Sequence, residues 1–224
     1  MKGIQTLENL EYANIYLRAT SENIVFLFCD LQEKLRGRIP NYDNICQISA
    51  FYLEFAKLLN IPFFINIIYP ERNGELVKEI DNLLTNEEKK ELISVKTSNS
   101  MLYDQNCIDF LNKHFERKKV VVFGIETFAC IRQTIEDLIR LEKGYEIYLP
   151  MDAVGAQKEI EHQSTILQLQ NLVNFTTFAT LVLEIVGKNL SLEYMQKNPI
   201  QFKIHDVLYK ERKLFWSQKQ KPKL

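Results

Sequence analysis

The sequence has few glycines and lacks the glycine-rich segments that would identify a common nucleotide-binding fold. Only seven glycines occur in 224 residues, and no G-x-G-x-x-G or G-x-x-x-x-G-K-[S/T] segment is present. Dinucleotide binding and P-loop phosphate binding therefore have no support. A G-x-S-x-G nucleophile elbow is also absent, so the sequence gives no sign of a serine hydrolase of that type.

Metal-binding and disulfide patterns are equally scarce. The four cysteines at positions 29, 46, 107 and 130 include no C-x-x-C pair, and the three histidines are scattered, with none before His114. This pattern predicts neither a zinc site nor a small disulfide-stabilised scaffold. It fits a protein of a reducing, intracellular environment.

The charge balance and the N-terminal residues argue against nucleic-acid binding, membrane binding and secretion. The net charge of −1 gives no general basic surface for nucleic acid or an anionic membrane. The first twenty residues lack the apolar core of a signal peptide and carry Glu8 and Glu11. The apolar runs break within about eight residues, well short of a membrane span. We therefore expect a cytoplasmic protein without a membrane partner.

Length and composition predict one compact domain. With 224 residues, of which 46% are hydrophobic, the chain can bury a single core of substantial size. The patterned region covers residues 23–187. Residues 1–22 are interpreted as a polar lead-in, and residues 188–224 as a packed arm with a basic, disordered tip.

Buried-strand and helix patterns alternate through the patterned region. Continuous apolar runs rich in β-branched residues predict strands, and a 3.6-residue apolar period predicts helices. The predicted strands are Ile24 to Cys29, Phe63 to Ile68, Leu92 to Lys96, Val120 to Phe123, Tyr145 to Met151 and Phe175 to Thr177. Between them, helices are predicted around 45–59, 75–84, 104–115, 127–143 and 158–171, with another at 179–186, while 70–74 is predicted as a loop. Such alternation predicts a three-layer α/β/α fold with a mostly parallel central sheet.

Three reactive side chains follow predicted strands. Asp30 follows the first strand, Lys96 ends the third, and Cys130 lies in the first turn of the helix after the strand that Gly124 is expected to end. In parallel sheets, sites gather at the carboxyl ends of strands. A helix N-terminus also lowers the pKa of a thiol. Taken singly, however, each has an ordinary explanation: a helix cap, a solvated amine and a small buried hydrophobe.

Three segments together resemble the isochorismatase-like cysteine hydrolases. They are FCDLQEKL with Asp30 and Gln32, VKTSNSMLYD with Lys96, and GIETFACIRQTIEDLIRLEKGYEIYLPMDAV with Cys130 and Asp152. The resemblance spans about residues 23–187 in the same order and is strongest to the eukaryotic isochorismatase-domain-containing proteins. It implies a Rossmann-like topology for the sheet. A match at three positions favours a nucleophilic Cys130 over a merely buried one.

The resemblance implies a catalytic mechanism. Cys130 would attack an electrophilic carbon as a thiolate, Asp30 would take its proton and later activate water, and Lys96 would hold both groups in an ion-paired cluster. The backbone N–H groups of Glu126 and Cys130 would form an oxyanion hole. The family also places a cis peptide bond here between Ile125 and Glu126.

The same resemblance suggests supporting residues and marks two departures from the family. Gln32, Thr127 and Phe128 are expected around the pocket, with Gln32 ordering the site rather than reacting. Many relatives have histidine or aspartate at the position of Phe128, so a less polar pocket wall or a changed substrate is expected. Nicotinamidases of this superfamily bind a metal after the second strand, where this chain has INIIYPERNG. We therefore predict no metal and no cofactor.

The favoured function is a metal-independent cysteine hydrolase of a small amide, ester or vinyl-ether-like substrate. Two alternatives stay open: a non-catalytic oligomeric scaffold of the same fold, and a nuclease, which the charge balance disfavours. The expected partners are a small-molecule substrate and, by family analogy, further copies of the chain, without nucleic acid.

The other cysteines are expected to be less reactive than Cys130. Cys29 directly precedes Asp30, so the alternation of a strand predicts that its side chain points to the opposite face and packs under a helix. Cys46 and Cys107 lie on predicted helices without a nearby partner group in the sequence.

Overall fold

The computed structural model describes residues 18–187 and 199–219, without the side chains of residues 201 and 215–219. Residues 1–17 of the predicted lead-in, and residues 188–198 and 220–224 of the predicted arm, lie outside the described part. No helix in the described part is long and apolar enough to cross a membrane.

A parallel sheet of seven strands forms the centre of the described fold. The strands are β1 (Ile24–Cys29), β2 (Phe63–Ile68), β3 (Ile93–Lys96), β4 (Lys119–Ile125), β5 (Glu146–Pro150), β6 (Val154–Gly155) and β7 (Asn174–Thr176). Their order is β3-β2-β1-β4-β5-β7, with β6 pairing to β4. Each of these pairings is parallel. With its flanking helices, this sheet confirms the predicted fold class.

The helices follow the predicted alternation. They are α1 (Tyr42–Leu59), α2 (Pro70–Asn73), α3 (Lys78–Asp81), α4 (Asn86–Leu92), α5 (Gln105–Lys113), α6 (Arg132–Arg140), α7 (Glu159–Leu169), α8 (Phe178–Val186) and α9 (Pro199–Lys219). Short 3₁₀ turns cover Glu33–Leu35 and Met101–Tyr103, and one π-helical turn covers Thr127–Ile131.

Aromatic side chains fix the position of the two central strands against α1. Every residue of β1 and of β4 is buried. The Tyr52 ring of α1 stacks on Phe123 of β4, with ring centroids 4.9 Å apart. It meets the Phe178 ring of α8 edge-on, at a centroid distance of 4.8 Å. Phe28 of β1 meets Phe123 at 4.2 Å. Such ring pairs add about 1 kcal/mol each beyond area burial, so β1, β4 and their carboxyl ends are held firmly together.

Two short helices were not predicted. The charged residues 87–91, to which no element was assigned, belong to α4, which begins with a capping box between Thr85 and Glu88. The predicted loop at 70–74 contains the single turn α2, which has Pro70 at its first position. Both are too short to show an apolar period, and only their capping residues could have indicated them.

The glycine expected to end β4 lies inside the strand. Gly124 pairs with Cys29 of β1 and, on its other side, with Val154 of β6. It has φ of +118°, and a Cβ atom placed on it would lie 2.0 Å from the Cys29 carbonyl oxygen. The close approach of the two backbones therefore requires glycine, and the strand runs on through it to Ile125.

Part of the predicted C-terminal arm is the helix α9, which packs against α1. Ile204, Val207 and Leu208 are buried, and Lys210 forms an ion pair with Glu54 of α1 at 3.5 Å. The described portion of the arm thus contributes to the core.

We predict that Gly124→Ala lowers the free energy of unfolding by about 3 kcal/mol or more, because the methyl group meets backbone and the backbone conformation disfavours it. Gly144→Ala is the matched control, since Gly144 also has positive φ but has nothing within 4 Å of an added Cβ. Its expected loss is about 1 to 2 kcal/mol. Denaturant unfolding measures both, and equal losses would contradict the close-approach argument.

Candidate active site

Three predicted reactive residues meet at the carboxyl edge of the sheet. Lys96, at the end of β3, places its Nζ 2.8 Å from Asp30 Oδ2, just beyond β1. The same Nζ lies 3.4 Å from the Sγ of Cys130, in the π turn that follows β4. All three are nearly inaccessible, with exposed fractions of 3% for Asp30, 2% for Lys96 and 7% for Cys130. The structure therefore joins a carboxylate, an ammonium and a thiol in one buried cluster.

The length of a lysine side chain lets it bridge two strands. Lys96 pairs with Ile68 of β2, and β2 in turn lies beside β1. Two strand spacings amount to about 10 Å, which only a long side chain crosses. A third contact, from Nζ to the Ser98 carbonyl oxygen at 3.0 Å, completes the ammonium's set of three acceptors.

Asp30 reaches the cluster because its backbone leaves the strand conformation. Its φ is +54°, in the left-handed region that few non-glycine residues adopt. Its N–H still donates to the Asn66 carbonyl oxygen of β2 at 2.9 Å, so the strand pairing continues for one more residue. The side chain is thereby turned toward Lys96.

The left-handed turn overturns the prediction for Cys29. Cys29 is buried as expected, but its side chain does not point away from Asp30: its Sγ lies 3.5 Å from Asp30 Oδ2. The Sγ atoms of Cys29 and Cys130 and a carboxylate oxygen of Asp30 all lie within 4.8 Å of one another. The alternation argument holds only while successive residues stay extended, and Asp30 does not. Two thiols therefore share the site.

Burial and charge act on the titratable groups of the cluster. Burial raises the pKa of the Asp30 carboxyl, although the Lys96 ammonium works against this. Burial opposes the charged form of Lys96, but the neighbouring Cys29, Asp30 and Cys130 outweigh it and raise the pKa of the amine. Both groups thus hold a proton more strongly than in water. The result is a permanent ammonium beside a carboxylate that readily accepts a proton.

The segment that presents Cys130 has a distinctive backbone. The peptide bond between Ile125 and Glu126 is cis, at the position that the family resemblance implies. The π turn Thr127–Ile131 follows and leads directly into α6. π turns inside helices occur often at functional sites.

Thr134 holds the cysteine turn in place. Its hydroxyl donates to the Cys130 carbonyl oxygen at 2.7 Å and accepts from the Met101 N–H at 3.0 Å. It therefore ties the π turn to the segment that follows Lys96. No residue pattern predicted this role, because Thr134 continues the apolar face of the predicted helix.

The structure also adds Asn99 to the site. Its side-chain oxygen lies 3.9 Å from the Sγ of Cys130, and unlike the three buried residues it is exposed. A polar, exposed group beside the thiol is well placed to meet an incoming substrate. In the sequence, only the position of Asn99 within the KTSNSM segment could have indicated a role at the site.

The predicted supporting residues have different surroundings. Gln32 is fully buried and binds both ends of the segment after β2, accepting from the Ile68 N–H at 3.0 Å and donating to the Gly74 carbonyl at 2.6 Å. Thr127 is buried and lies 2.9 Å from His162 Nδ1. Phe128 is 36% exposed and lines a surface groove that none of the three candidate catalytic residues lines. Its role as a pocket wall stays a prediction.

A metal-ligand donor set coincides with the cluster itself. Within residues 18–187 and 199–219, Cys29, Asp30 and Cys130 form the group of three or more His, Cys, Asp or Glu side chains whose ligand atoms lie close enough to hold one metal ion. Lys96 Nζ already contacts two of them at 2.8 and 3.4 Å. A cation would have to occupy the same space as this ammonium and would be repelled by it.

Comparison with known proteins identifies relatives of the chain. The Isochorismatase domain family model matches residues 25–180. "Isochorismatase domain-containing protein 2" of Danio rerio is 31% identical over 185 residues, covering 80% of this chain and 88% of the relative. "Isochorismatase domain-containing protein 1" of Salmo salar is 30% identical over 73% of this chain, but the match spans only 55% of that relative's length.

Solved structures share the fold. The MAR1 ribonuclease of Caenorhabditis elegans is 26% identical, with a TM-score of 0.69, covering 82% of this chain and 92% of its own. The YcaC gene product of Escherichia coli, described as an octameric hydrolase of unknown specificity, is 16% identical, with a TM-score of 0.72 and coverage of 91% and 97%. At that identity, the second similarity shows the fold alone.

We predict that Lys96→Met slows iodoacetamide alkylation of Cys130 at neutral pH by about tenfold, because it removes the ammonium that lies 3.4 Å from the sulfur and stabilises negative charge there. Lys119→Met is the matched control, since Lys119 is also 2% exposed but pairs with Glu146. Peptide mapping over time measures the rates in folded protein.

Within the wild-type protein, Cys130 should label before the other three cysteines. Burial raises the pKa of Cys46 to about 12 and also raises the pKa of Cys107. Cys29 is 0% exposed. Equal slowing in the two lysine variants, or faster labelling of Cys29, would contradict the proposed activation by Lys96.

Proposed function

We propose, given that this chain belongs to the isochorismatase family, that it is a metal-independent cysteine hydrolase of a small amide or ester-type substrate. The observation that carries the proposal is the single contact network of Lys96, which joins Asp30 at 2.8 Å and Cys130 at 3.4 Å. A nucleophile, a base and a fixed positive charge are the three parts that covalent hydrolysis needs.

The first half of the reaction uses Asp30 as a base. The Cys130 thiol gives its proton to the Asp30 carboxylate, and the thiolate that forms is paired with the Lys96 ammonium. The raised pKa of Asp30, which burial causes, makes its carboxylate a better proton acceptor than an exposed one. The sulfur then attacks the substrate carbonyl carbon, and the leaving group departs with the proton from Asp30.

The second half releases the product. Asp30, again a carboxylate, takes a proton from water, and the resulting hydroxide attacks the thioester carbon. The C–S bond breaks, the Cys130 thiolate forms beside Lys96, and Asp30 then returns its proton to the sulfur, which restores the starting thiol and carboxylate. The same carboxyl thus serves as base, acid and base again, which requires it to stay close to both the sulfur and the substrate.

Backbone N–H groups are proposed to stabilise the oxyanion. The Glu126 carboxylate is engaged elsewhere, since it accepts from the Gln157 N–H at 2.9 Å. This supports a backbone rather than a side-chain role for Glu126. Together with the N–H of Cys130, it would provide the fixed dipoles that such intermediates need.

We predict that Cys130→Ser lowers turnover of any amide or ester found in a substrate screen by at least about a thousandfold, because the weaker nucleophile leaves the mechanism without its covalent step. Cys46→Ser, at a buried cysteine on α1, should keep turnover near that of the wild type. Initial rates and intact mass of a trapped acyl adduct on Cys130 are the measurements. A fully active, folded Cys130→Ser protein would leave the scaffold alternative.

We also predict that hydrolysis is insensitive to EDTA, because the Lys96 ammonium lies where a cation would bind the cluster. The measurement is the initial rate before and after chelation and gel filtration. Activity that is lost on chelation and restored by zinc or magnesium would contradict a metal-independent mechanism.

A nuclease is the second candidate, and the name of the Caenorhabditis elegans relative is the observation that favours it. Against it stand the net charge of −1 and a reactive thiol that is only 7% exposed, since a nucleic-acid groove needs basic residues along its length. Including single-stranded RNA in the substrate screen tests this candidate directly. Cleavage of RNA that requires Cys130 would replace the small-substrate proposal.

We propose in addition that the chain forms a homo-oligomer. The octameric description of the Escherichia coli neighbour suggests it, and α7 presents Ile160 and Leu167, which are 70% and 71% exposed in the single chain. Large apolar side chains with such exposure favour a contact surface. Light scattering at micromolar concentration measures the mass, and a monomer at all concentrations would contradict the proposal.

A further inference from the structure

Cys29 is a second sulfur in the site that the hydrolytic mechanism does not use. Its Sγ, the Cys130 Sγ and an Asp30 carboxylate oxygen lie within 4.8 Å of one another. Cys29 is 0% exposed, while Cys130 is 7% exposed. One thiol therefore belongs to a slightly exposed residue, and the other to a fully enclosed one.

We propose that Cys29 and Cys130 form an intramolecular disulfide when a hydroperoxide oxidises the site. A disulfide has an S–S distance of about 2.0 Å, so the two sulfurs must approach by less than about 3 Å. Rotation of the two side chains moves sulfurs on this scale. The proposal shares the reactive Cys130 with the proposed function, but it requires no hydrolysis.

The surroundings give the two sulfurs different roles. Lys96 Nζ, 3.4 Å from the Cys130 Sγ, stabilises the thiolate that attacks a peroxide. Burial, followed by the neighbouring Cys130 and Asp30, raises the pKa of the Cys29 thiol, which therefore stays protonated until a base removes its proton. Asp30 is that base. Its Oδ2 accepts a hydrogen bond from the Cys29 thiol at 3.5 Å, and its buried Oδ1 has no hydrogen-bond partner.

The first step oxidises Cys130. Its thiolate attacks one oxygen of the hydroperoxide, the S–O bond forms as the O–O bond breaks, and the leaving alkoxide or hydroxide takes up the proton that Asp30 received from Cys130. The product is a sulfenic acid on Cys130 and one molecule of alcohol or water. The sulfur loses two electrons, and the peroxide gains them.

The second step forms the disulfide. Asp30 takes the Cys29 proton, and the Cys29 sulfur attacks the Cys130 sulfur as the S–O bond breaks. The hydroxide that leaves takes the proton from Asp30 and departs as water. In total, two thiols lose two hydrogens, the peroxide is reduced, and Asp30 is regenerated.

A rapid internal reaction would protect Cys130 from irreversible oxidation. A sulfenic acid without a nearby thiol proceeds to sulfinic acid under excess peroxide, and a thiol reductant does not reverse that state. Cys29 competes with the second peroxide because it is already in the site. The disulfide removes the nucleophile reversibly, so oxidation would switch hydrolysis off without destroying the protein.

Mass spectrometry of the full-length protein tests the proposal without any substrate. The protein is treated with hydrogen peroxide, its free thiols are blocked, and it is digested with trypsin without reduction. Trypsin places Cys29 in residues 19–34 and Cys130 in residues 120–132, while Cys46 and Cys107 fall in other peptides. The expected result is a cross-linked pair of these two peptides, which dithiothreitol separates.

Two variants sharpen the test. In Cys29→Ser, peroxide should carry Cys130 on to sulfinic acid, while Cys46→Ser should keep the cross-link of the wild type. Sulfinic acid at Cys130 without a cross-link in the wild-type protein would overturn the proposal, as would a cross-link that involves Cys46 or Cys107. Because the readout is mass, its failure would leave the hydrolase proposal standing, and an inactive hydrolase that still cross-links would leave this one standing.

Discussion

The buried ammonium of Lys96 is the constraint on which the site depends. A charge in the interior costs several kcal/mol unless opposite charge and hydrogen-bond acceptors surround it. Asp30 Oδ2, the Ser98 carbonyl and the Cys130 sulfur fill that need at 2.8, 3.0 and 3.4 Å. Each comes from a different place at the carboxyl edge of the sheet, so the lysine fixes β1, β3 and the π turn relative to one another. The groups that neutralise it are the same groups that are proposed to react.

Two backbone positions at the ends of the central strands make this arrangement possible. Asp30 leaves β1 in a left-handed conformation, and Gly124 lets β4 approach Cys29 closely enough that no side chain would fit. Without the first, the carboxylate would point away from the lysine. Without the second, the two strands would separate just before the turn that carries Cys130. The local conformations are unfavourable for most residues, and the surrounding sheet is what stabilises them.

The same geometry places two sulfurs with different surroundings in one buried cluster. Cys130 is 7% exposed and lies beside the ammonium, whereas Cys29 is fully enclosed and faces the carboxylate. Thiol chemistry is controlled by such surroundings more than by the residue itself. A carboxyl that accepts protons readily serves either sulfur. The proposed hydrolysis and the proposed oxidation therefore use the same charged groups, and they differ in which electrophile reaches Cys130 first.

Burial patterns predicted the order of six strands and most helices, because Ile24–Cys29 is buried on both faces and α1 on one, whereas β6, α2 and α4 were not predicted. The sequence also marked Asp30, Lys96 and Cys130, because each follows a strand in a segment resembling one family. The folded chain, and not the residue pattern, shows that Cys29 points into the site, that Thr134 and Asn99 join it, and that β4 continues through Gly124. The physical reason is that residue patterns assume regular backbone, whereas side-chain direction at a strand end depends on one or two dihedral angles that neighbouring strands impose.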